Sequence, residues 1–550
     1  MEKNMIESKD YNCYEYYLIA TQQYGNYDAA QHLDQKITRS EFIGDVEAFA
    51  YYAKKVLKLE RGDVFTIFCP TNIESLVAFY ALNKIGVIVN FMHPLWPSAQ
   101  LEEYCKLTKS KGVMILNLLA GRHIKTLNKM GLDVILCRCS DYAAPLKKYS
   151  ARAGEIALEA VLPKINNCVT YSSIMSKYKG RRVEGVRNNG HDIAIYVNGG
   201  GTTGKSKTIK ITSKALNEIC YKVAYIDEIH VPGVEAEIII LPLFHVFGLG
   251  LACHMIMCNA ARIIPLMRFN ANLVVKLYKK NRIAGIVGIP NMFKKLYHTK
   301  GFDGPHLANT RMMFVGGDDL SPAFLEKFNA MLEKNGTDAR LRQGYGLTEV
   351  CAACCTNTNW VNKDGSIGKP FEGIDMQIWD DNCKEVPTGE IGEICISGST
   401  LMAGYLTDDP DENGVGLYYD ENGKAWVRSG DLGYKDEEGF FFFAGRKKRI
   451  IIISGYNVYP VDIENLMDTL PFIKEACAVR GTSEEGKPFV RLFVSLKEKG
   501  DIEEYKKQII ETCEKNLDKF SVPREVIFRN ELPHTPLEKV DFMALEKENI

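Results

Sequence analysis

The chain has 550 residues, 46% of them hydrophobic and 25% charged, with a formal net charge of −1. That length exceeds one small core and predicts about three or four structural units with the balance of an ordinary soluble globular protein. The near-zero charge excludes a global electrostatic pull toward nucleic acid or anionic lipid, so local basic runs such as Arg446 to Arg449 are weighed on their own.

Met1 to Leu18 mixes acids, Lys and Tyr without an apolar signal core, so a cytoplasmic location is expected. The 16 cysteines agree with a reducing compartment. Cys351, Cys354 and Cys355 form the tightest group apart from Cys137 and Cys139, yet no two ligand pairs stand at zinc spacing, so buried thiols are expected.

Taken in chain order, Ser40 to Leu57 has helical spacing, with Phe42, Val46, Phe49, Ala50 and Ala53 on one side. A strand follows at Val64 to Cys69, a helix at Ile73 to Ile85 and a strand at Gly86 to Val89. Further strands are read at 113–116, 134–136, 193–197, 283–287 and 312–315. This alternation argues for a layered α/β sheet. No Asp, Glu, Lys or Arg stands between Glu237 and Arg262, a stretch long enough to span a bilayer. Pro242, His245, Gly248 and Gly250 interrupt it, so it reads as a strand, a turn and a buried helix, and no transmembrane segment is expected. From about Gly373 short alternating runs, such as 376–379 and 393–397, indicate a β-rich subdomain. The last part has a small α+β pattern, with strands at 476–480 and 491–496 and a charged helix between Asp501 and Asn516. The boundary is placed near Lys448, giving units 1–447 and 448–550.

The most informative segment is Asp192 to Lys207, where an apolar strand runs into Gly-Gly-Gly-Thr-Thr-Gly-Lys-Ser-Lys207. Successive glycines let N–H groups converge on an anion, threonine hydroxyls add donors and lysine adds charge, the chemistry of a triphosphate cradle. Gly199 to Ser206 also satisfies the P-loop pattern, which requires a helix beginning at the lysine. Here Thr208 to Thr212 alternates like a strand and helical spacing begins only near Ser213, so that match is read as accidental.

Gly201 to Lys207 instead resembles the signature loop of the adenylate-forming (AMP-binding) superfamily, which contains acyl-CoA synthetases, luciferases and peptide-synthetase adenylation domains. Gly200, Ser206 and Thr208 depart from the usual pattern. Further matches stand in the family's order. Leu241 to Gly248 resembles the carboxylate-pocket segment, with His245 where the family shapes substrate access. Val315 to Ser321 resembles the adenine-binding turn, including Gly316 and Gly317, although Asp318 and Asp319 replace the usual Ala and Pro. Gln343 to Glu349 is the cleanest match. The resemblance implies that Tyr345 stacks on adenine, Thr348 contacts the α-phosphate and Glu349 holds Mg²⁺. Ser429-Gly-Asp431 resembles the ribose-binding motif, and Gly445 to Lys448 the domain junction, with Arg446 at the nucleotide and Lys448 at the hinge. Leu532 to Lys539 resembles the catalytic-lysine loop and implies that role for Lys539, with His534 and Leu537-Glu538 as departures.

The resemblance covers nearly the whole chain. It implies a large N-terminal α/β domain with a β-rich subdomain and a small mobile C-terminal α+β domain. It further implies adenylation of a carboxylic acid by ATP, with Thr202, Thr203, Gly204 and Lys207 at the phosphates, followed by transfer to CoA. The chain ends just after the Lys539 loop, so no fused carrier domain is expected, and Phe244 to Phe247 offers no Asp for an amino-acid substrate. A fatty acid is the favoured substrate, ahead of aryl and sterol-like acids. The alternatives are an acyl-AMP ligase loading a separate carrier protein, a P-loop ATPase or kinase, and a non-catalytic nucleotide-binding protein.

Overall fold

The computed structural model describes residues 7, 10–161, 163–198, 207–226, 231–318, 320–406, 416–454, 456–483, 486–498, 500–535 and 539–548. Two large sheets form the N-terminal part. One has nine strands. Its parallel centre comprises Arg262–Pro265, Ala236–Ile239, Ile283–Gly288, Met312–Val315 and Leu341–Tyr345. The second has eight strands, with Ile193–Asn198, Ile88–Phe91, Val64–Phe68, Gly112–Leu116 and Asp133–Cys137 running parallel. These strands are buried almost throughout, as expected of parallel strands covered on both faces.

Local chemistry explains the helices. Thr38 and Glu41 form a capping box that starts Arg39–Lys55, and the expected apolar face (Phe42, Val46, Phe49, Ala50, Ala53) is buried. Asn72 caps Ile73–Lys84, in which every residue is buried. The expected strand at 86–89 lies instead at Ile88–Phe91. The cause is that the preceding helix is capped by Gly86 N–H donating to Asn83 O at 3.0 Å and Val87 N–H donating to Leu82 O at 3.0 Å. The apolar 237–262 stretch forms the strand Ala236–Ile239, then a π-helix at Phe247–His254 and an α-helical turn at Met255–Cys258. The wide turns fit a tight approach: a Cβ on Gly248 would stand 2.1 Å from the Pro242 carbonyl oxygen. Among the described residues no helix is long and apolar enough to cross a membrane.

The β-rich subdomain is a five-stranded antiparallel sheet including Ile374–Trp379, Gly392–Gly398, Ala425–Lys435 and Phe441–Arg446. The small C-terminal domain has a three-stranded sheet, Ile473–Thr482, Pro488–Leu496 and Glu525–Arg529, with helices Pro460–Met467 and Ile502–Asn516. It builds its own apolar core around Ile463, Met467, Leu492, Val494 and Ile509.

Glu235 anchors the start of a central strand of the nine-stranded sheet. Its fully buried carboxylate accepts from the Val231 N–H at 2.7 Å, Arg282 Nε at 2.8 Å and Arg311 Nε at 2.9 Å. Burial would raise its pKa, but the Val231 N–H and the two guanidiniums outweigh that and hold it below the usual carboxylate range. A lowered pKa means stability that is present above the unfolded value and lost as pH falls through the folded one. Glu235→Ala is therefore expected to cost about 2–4 kcal/mol at neutral pH. The difference from wild type in chemical-denaturation midpoint should shrink as the pH is lowered through the carboxylate range.

Candidate active site

In parallel α/β sheets ligand sites form beyond the carboxyl ends of the strands, where loops diverge. Here a cavity of about 60 Å³ lies beyond the ends of Met312–Val315 and Leu341–Tyr345. His245, Phe247, Gly316, Gly317, Tyr345 and Leu347 line it, with Val223, Leu251, Phe314 and Phe371 forming apolar wall. Four of the residues singled out in sequence (His245, Gly316, Gly317, Tyr345) thus share one cavity.

Tyr345 is tied to the β-rich subdomain. Its hydroxyl donates to Asp431 Oδ2 at 2.7 Å, and its ring lies 6.3 Å from that of Phe443. Asp431 is only 2% exposed. Arg446, directly across the strand pair from it, brings Nε within 3.1 Å of Oδ1 but out of line for a hydrogen bond, so that buried oxygen has no hydrogen-bond partner among the described residues. Burial raises the pKa of Asp431, against the opposing pull of Arg446, Tyr345 and Lys539. An unfilled carboxylate lone pair in a buried setting suits a hydroxyl donor.

Lys539 reaches the same place from the small domain. Its Nζ donates to the carbonyl of Gly317, whose left-handed φ of +83° sets the direction of that turn. The lysine's own loop is closed by the Thr535 N–H donating to Lys539 O at 2.7 Å and by a bridge between His534 and Val540. His534, a departure from the family pattern, pairs with Glu475 at 3.0 Å. Asp318, another departure, stands near enough to the half-buried Arg449–Glu464 pair of the small domain to influence both electrostatically.

Thr348 and Glu349 open a 3₁₀ turn, Thr348–Val350. Glu349 Oε1 accepts from the Tyr405 hydroxyl at 2.9 Å, and Lys207 Nζ stands 4.7 Å from the Tyr405 ring centroid. Tyr405, Phe443 and Glu393, which accepts from the Gly430 N–H at 3.0 Å beside Asp431, carry no motif of their own and were not legible in the sequence. Lys448 is exposed in the turn Lys447–Arg449. The glycine-rich loop, with Thr202, Thr203 and Gly204, lies outside the described residues, as do Gly200, Ser206 and Asp319. Its base is described: Ile193–Asn198 and Thr208–Thr212 pair antiparallel, and Thr208 Oγ1 donates to Asn198 Oδ1 at 2.7 Å. A strand follows the loop and the helix begins at Ser213, so this is not the strand–loop–helix of a P-loop.

The AMP-binding enzyme family profile matches residues 19–406, and its C-terminal domain profile matches residues 462–539. The chain belongs to the AMP-binding enzyme family. A long-chain-fatty-acid–CoA ligase of Escherichia coli O6:H1 is 27% identical over 530 residues, covering 94% of this chain and 91% of that protein. The enzyme of the same name from Bacillus subtilis is 28% identical, covering 92% of this chain and 89% of its own length. Among solved structures, a benzoate CoA ligase from Burkholderia xenovorans superposes with a TM-score of 0.82 at 19% identity, over 98% of this chain and all of that one. The large domain, β-rich subdomain and small C-terminal domain are thus the fold of this family.

Burial, and then the charge of Lys539, push the His245 imidazole down to about 4. In an NMR titration the His245 resonance should therefore not titrate near the ordinary 6.5, and Lys539→Met should raise its midpoint. A midpoint that is the same in both proteins would place Lys539 away from the cavity.

Proposed function

We propose that this chain is an ATP-dependent, AMP-forming ligase that converts a fatty acid to its CoA thioester through an acyl-adenylate. The observation that carries the reading is the convergence of Lys539, from the small domain, on a cavity already containing His245, Tyr345 and the turn at Gly317. The names of the Escherichia and Bacillus relatives support CoA as acceptor and a long-chain acid as substrate. The apolar wall of Val223, Leu251, Phe314 and Phe371 suits an acyl chain better than a charged one.

A carboxylate is a poor electrophile, and bringing it to a triphosphate sets two anions together. The site must offset that repulsion and stabilise charge at phosphorus. In this reading Thr202, Thr203, Gly204 and Lys207 hold the β- and γ-phosphates. Tyr345, Gly316 and Gly317 hold adenine, and the Asp431 oxygen without a partner accepts from the ribose, with Arg446 beside it. Thr348 donates at the α-phosphate and Lys539 supplies the cation. His245, neutral at working pH, shapes the path of the acid without adding charge. Glu349, a hard oxygen ligand steadied by Tyr405, is the residue suited to hold Mg²⁺, which when bound neutralises phosphate charge. The acid oxygen attacks the α-phosphorus and pyrophosphate leaves. The CoA thiolate then attacks the acyl carbon and AMP leaves.

Lys539 must withdraw before the thiol can approach. The reading divides the chain into a large unit, 1–447, and a small unit, 448–550, that turns about Lys448. A cytoplasmic location belongs to this reading, in keeping with a chain of 16 cysteines and a Met1 to Leu18 stretch without an apolar signal core.

The test measures AMP and pyrophosphate release from ATP and Mg²⁺ over a panel of carboxylic acids, with CoA or a holo-carrier protein. Acid-dependent AMP with turnover stimulated by CoA is expected for a fatty acid, whereas ADP as product, or stimulation by the carrier alone, would overturn the reading. Lys539→Ala should slow adenylate formation by about 10²–10³-fold while sparing thioester formation from supplied acyl-adenylate. Lys448→Pro should do the reverse, and equal loss of both half-reactions would contradict the hinge assignment.

A further inference from the structure

Behind the cavity wall lies a second group of chemically active side chains that the proposed reaction does not use. Cys220 stands on helix Ser213–Ile226, His254 ends the π-helix Phe247–His254, and Cys258 ends the turn Met255–Cys258. His254 and Cys258 are four residues apart and share one face. All three are buried, at 0%, 1% and 5% exposure.

The geometry is that of a ligand set. The two sulfurs and a His254 ring nitrogen all lie within 4.8 Å of one another, and Cys258 Sγ is 3.5 Å from His254 Nδ1. A tetrahedral zinc ion, with bonds of about 2.3 Å to sulfur and about 2.0 Å to nitrogen, spaces a sulfur and a nitrogen ligand about 3.5 Å apart and two sulfurs about 3.8 Å apart. The cluster needs only a small contraction to meet those separations.

The imidazole is already oriented for the task. Asn217 Nδ2 donates to Tyr11 O at 2.9 Å, which fixes the amide so that Oδ1 faces His254 Nε2 at 2.9 Å. Because Oδ1 can only accept, Nε2 carries the hydrogen and Nδ1 presents its lone pair toward Cys258. This is the outer-shell hydrogen bond that metal-binding histidines ordinarily make. The Tyr80 hydroxyl, 2.8 Å from Nδ1, has Met257 Sδ at 3.9 Å as another partner to which its hydrogen can turn.

We propose that Cys220, His254 and Cys258 bind one soft divalent cation of the zinc type as a structural staple. Two thiolates neutralise the ion, which makes its burial tolerable, and sulfur and imidazole ligands select zinc over the magnesium that nucleotides require. The staple joins the helix Ser213–Ile226 to the 247–258 segment, which carry the wall residues Val223 and Leu251 on the cavity side. This site is independent of the reaction proposed above.

The test uses the full chain, produced with zinc in the medium and analysed for metal by mass spectrometry. About one zinc per chain is expected, falling at least about tenfold in Cys220→Ser/Cys258→Ser. Wild-type protein loaded with Co²⁺ should show thiolate-to-cobalt charge-transfer bands and the visible bands of a tetrahedral site, both lost in Cys258→Ser. The cobalt measurement needs only wild-type protein, so it stands even if a serine variant fails to fold. Metal-free wild type with no cobalt bands, or zinc retained in full by the double variant, would overturn the proposal.

Discussion

The hydrogen bond from Tyr345 to Asp431, at 2.7 Å, is the contact on which the arrangement of the site depends. Tyr345 ends a strand of the nine-stranded sheet, and Asp431 sits within the long strand Ala425–Lys435 of the β-rich subdomain. A buried carboxylate is costly unless donors meet it, so the two sheets must come together in the one register that brings the Tyr345 hydroxyl and Arg446 to the same side chain. Phe443, on the strand paired with Asp431, closes the other side of the Tyr345 ring. The cavity then forms between rigid elements rather than between loops alone.

The contacts between the large and small domains are of a different kind. Lys539 meets a backbone carbonyl at Gly317, and Lys294 meets Asp468 at 2.8 Å. Each domain keeps its own apolar core. Polar contacts of this sort can be exchanged for water or for other partners without exposing either core. His534, where the family commonly has another residue, pairs with Glu475 here, so that departure is accommodated locally.

The elements were legible where one period dominated. The face of Arg39–Lys55, the buried helix Ile73–Lys84 and the parallel strands follow from residue spacing, and the alternation of Thr208–Thr212 separated this loop from a P-loop before any contact was known. Spacing failed where tertiary crowding set the backbone. The π-helix at Phe247–His254 begins where Gly248 closely approaches Pro242, and no periodicity in that uniformly apolar stretch marks it. Tyr405 was equally hidden, being a single aromatic residue without a pattern that reaches Glu349 from 56 positions away.

By itself the sequence determined the order of the elements, the chemistry of each motif and the family to which they point, because propensity, capping and phosphate-loop composition act over a few neighbouring residues. Tertiary structure alone decided which motifs meet. Tyr345 finds Asp431 across 86 positions and Lys539 finds Gly317 across 222, and His254 and Cys258 find Cys220 on a separate helix. Such contacts depend on how sheets and helices pack through space, and packing is a property of the whole folded chain rather than of any one window along it.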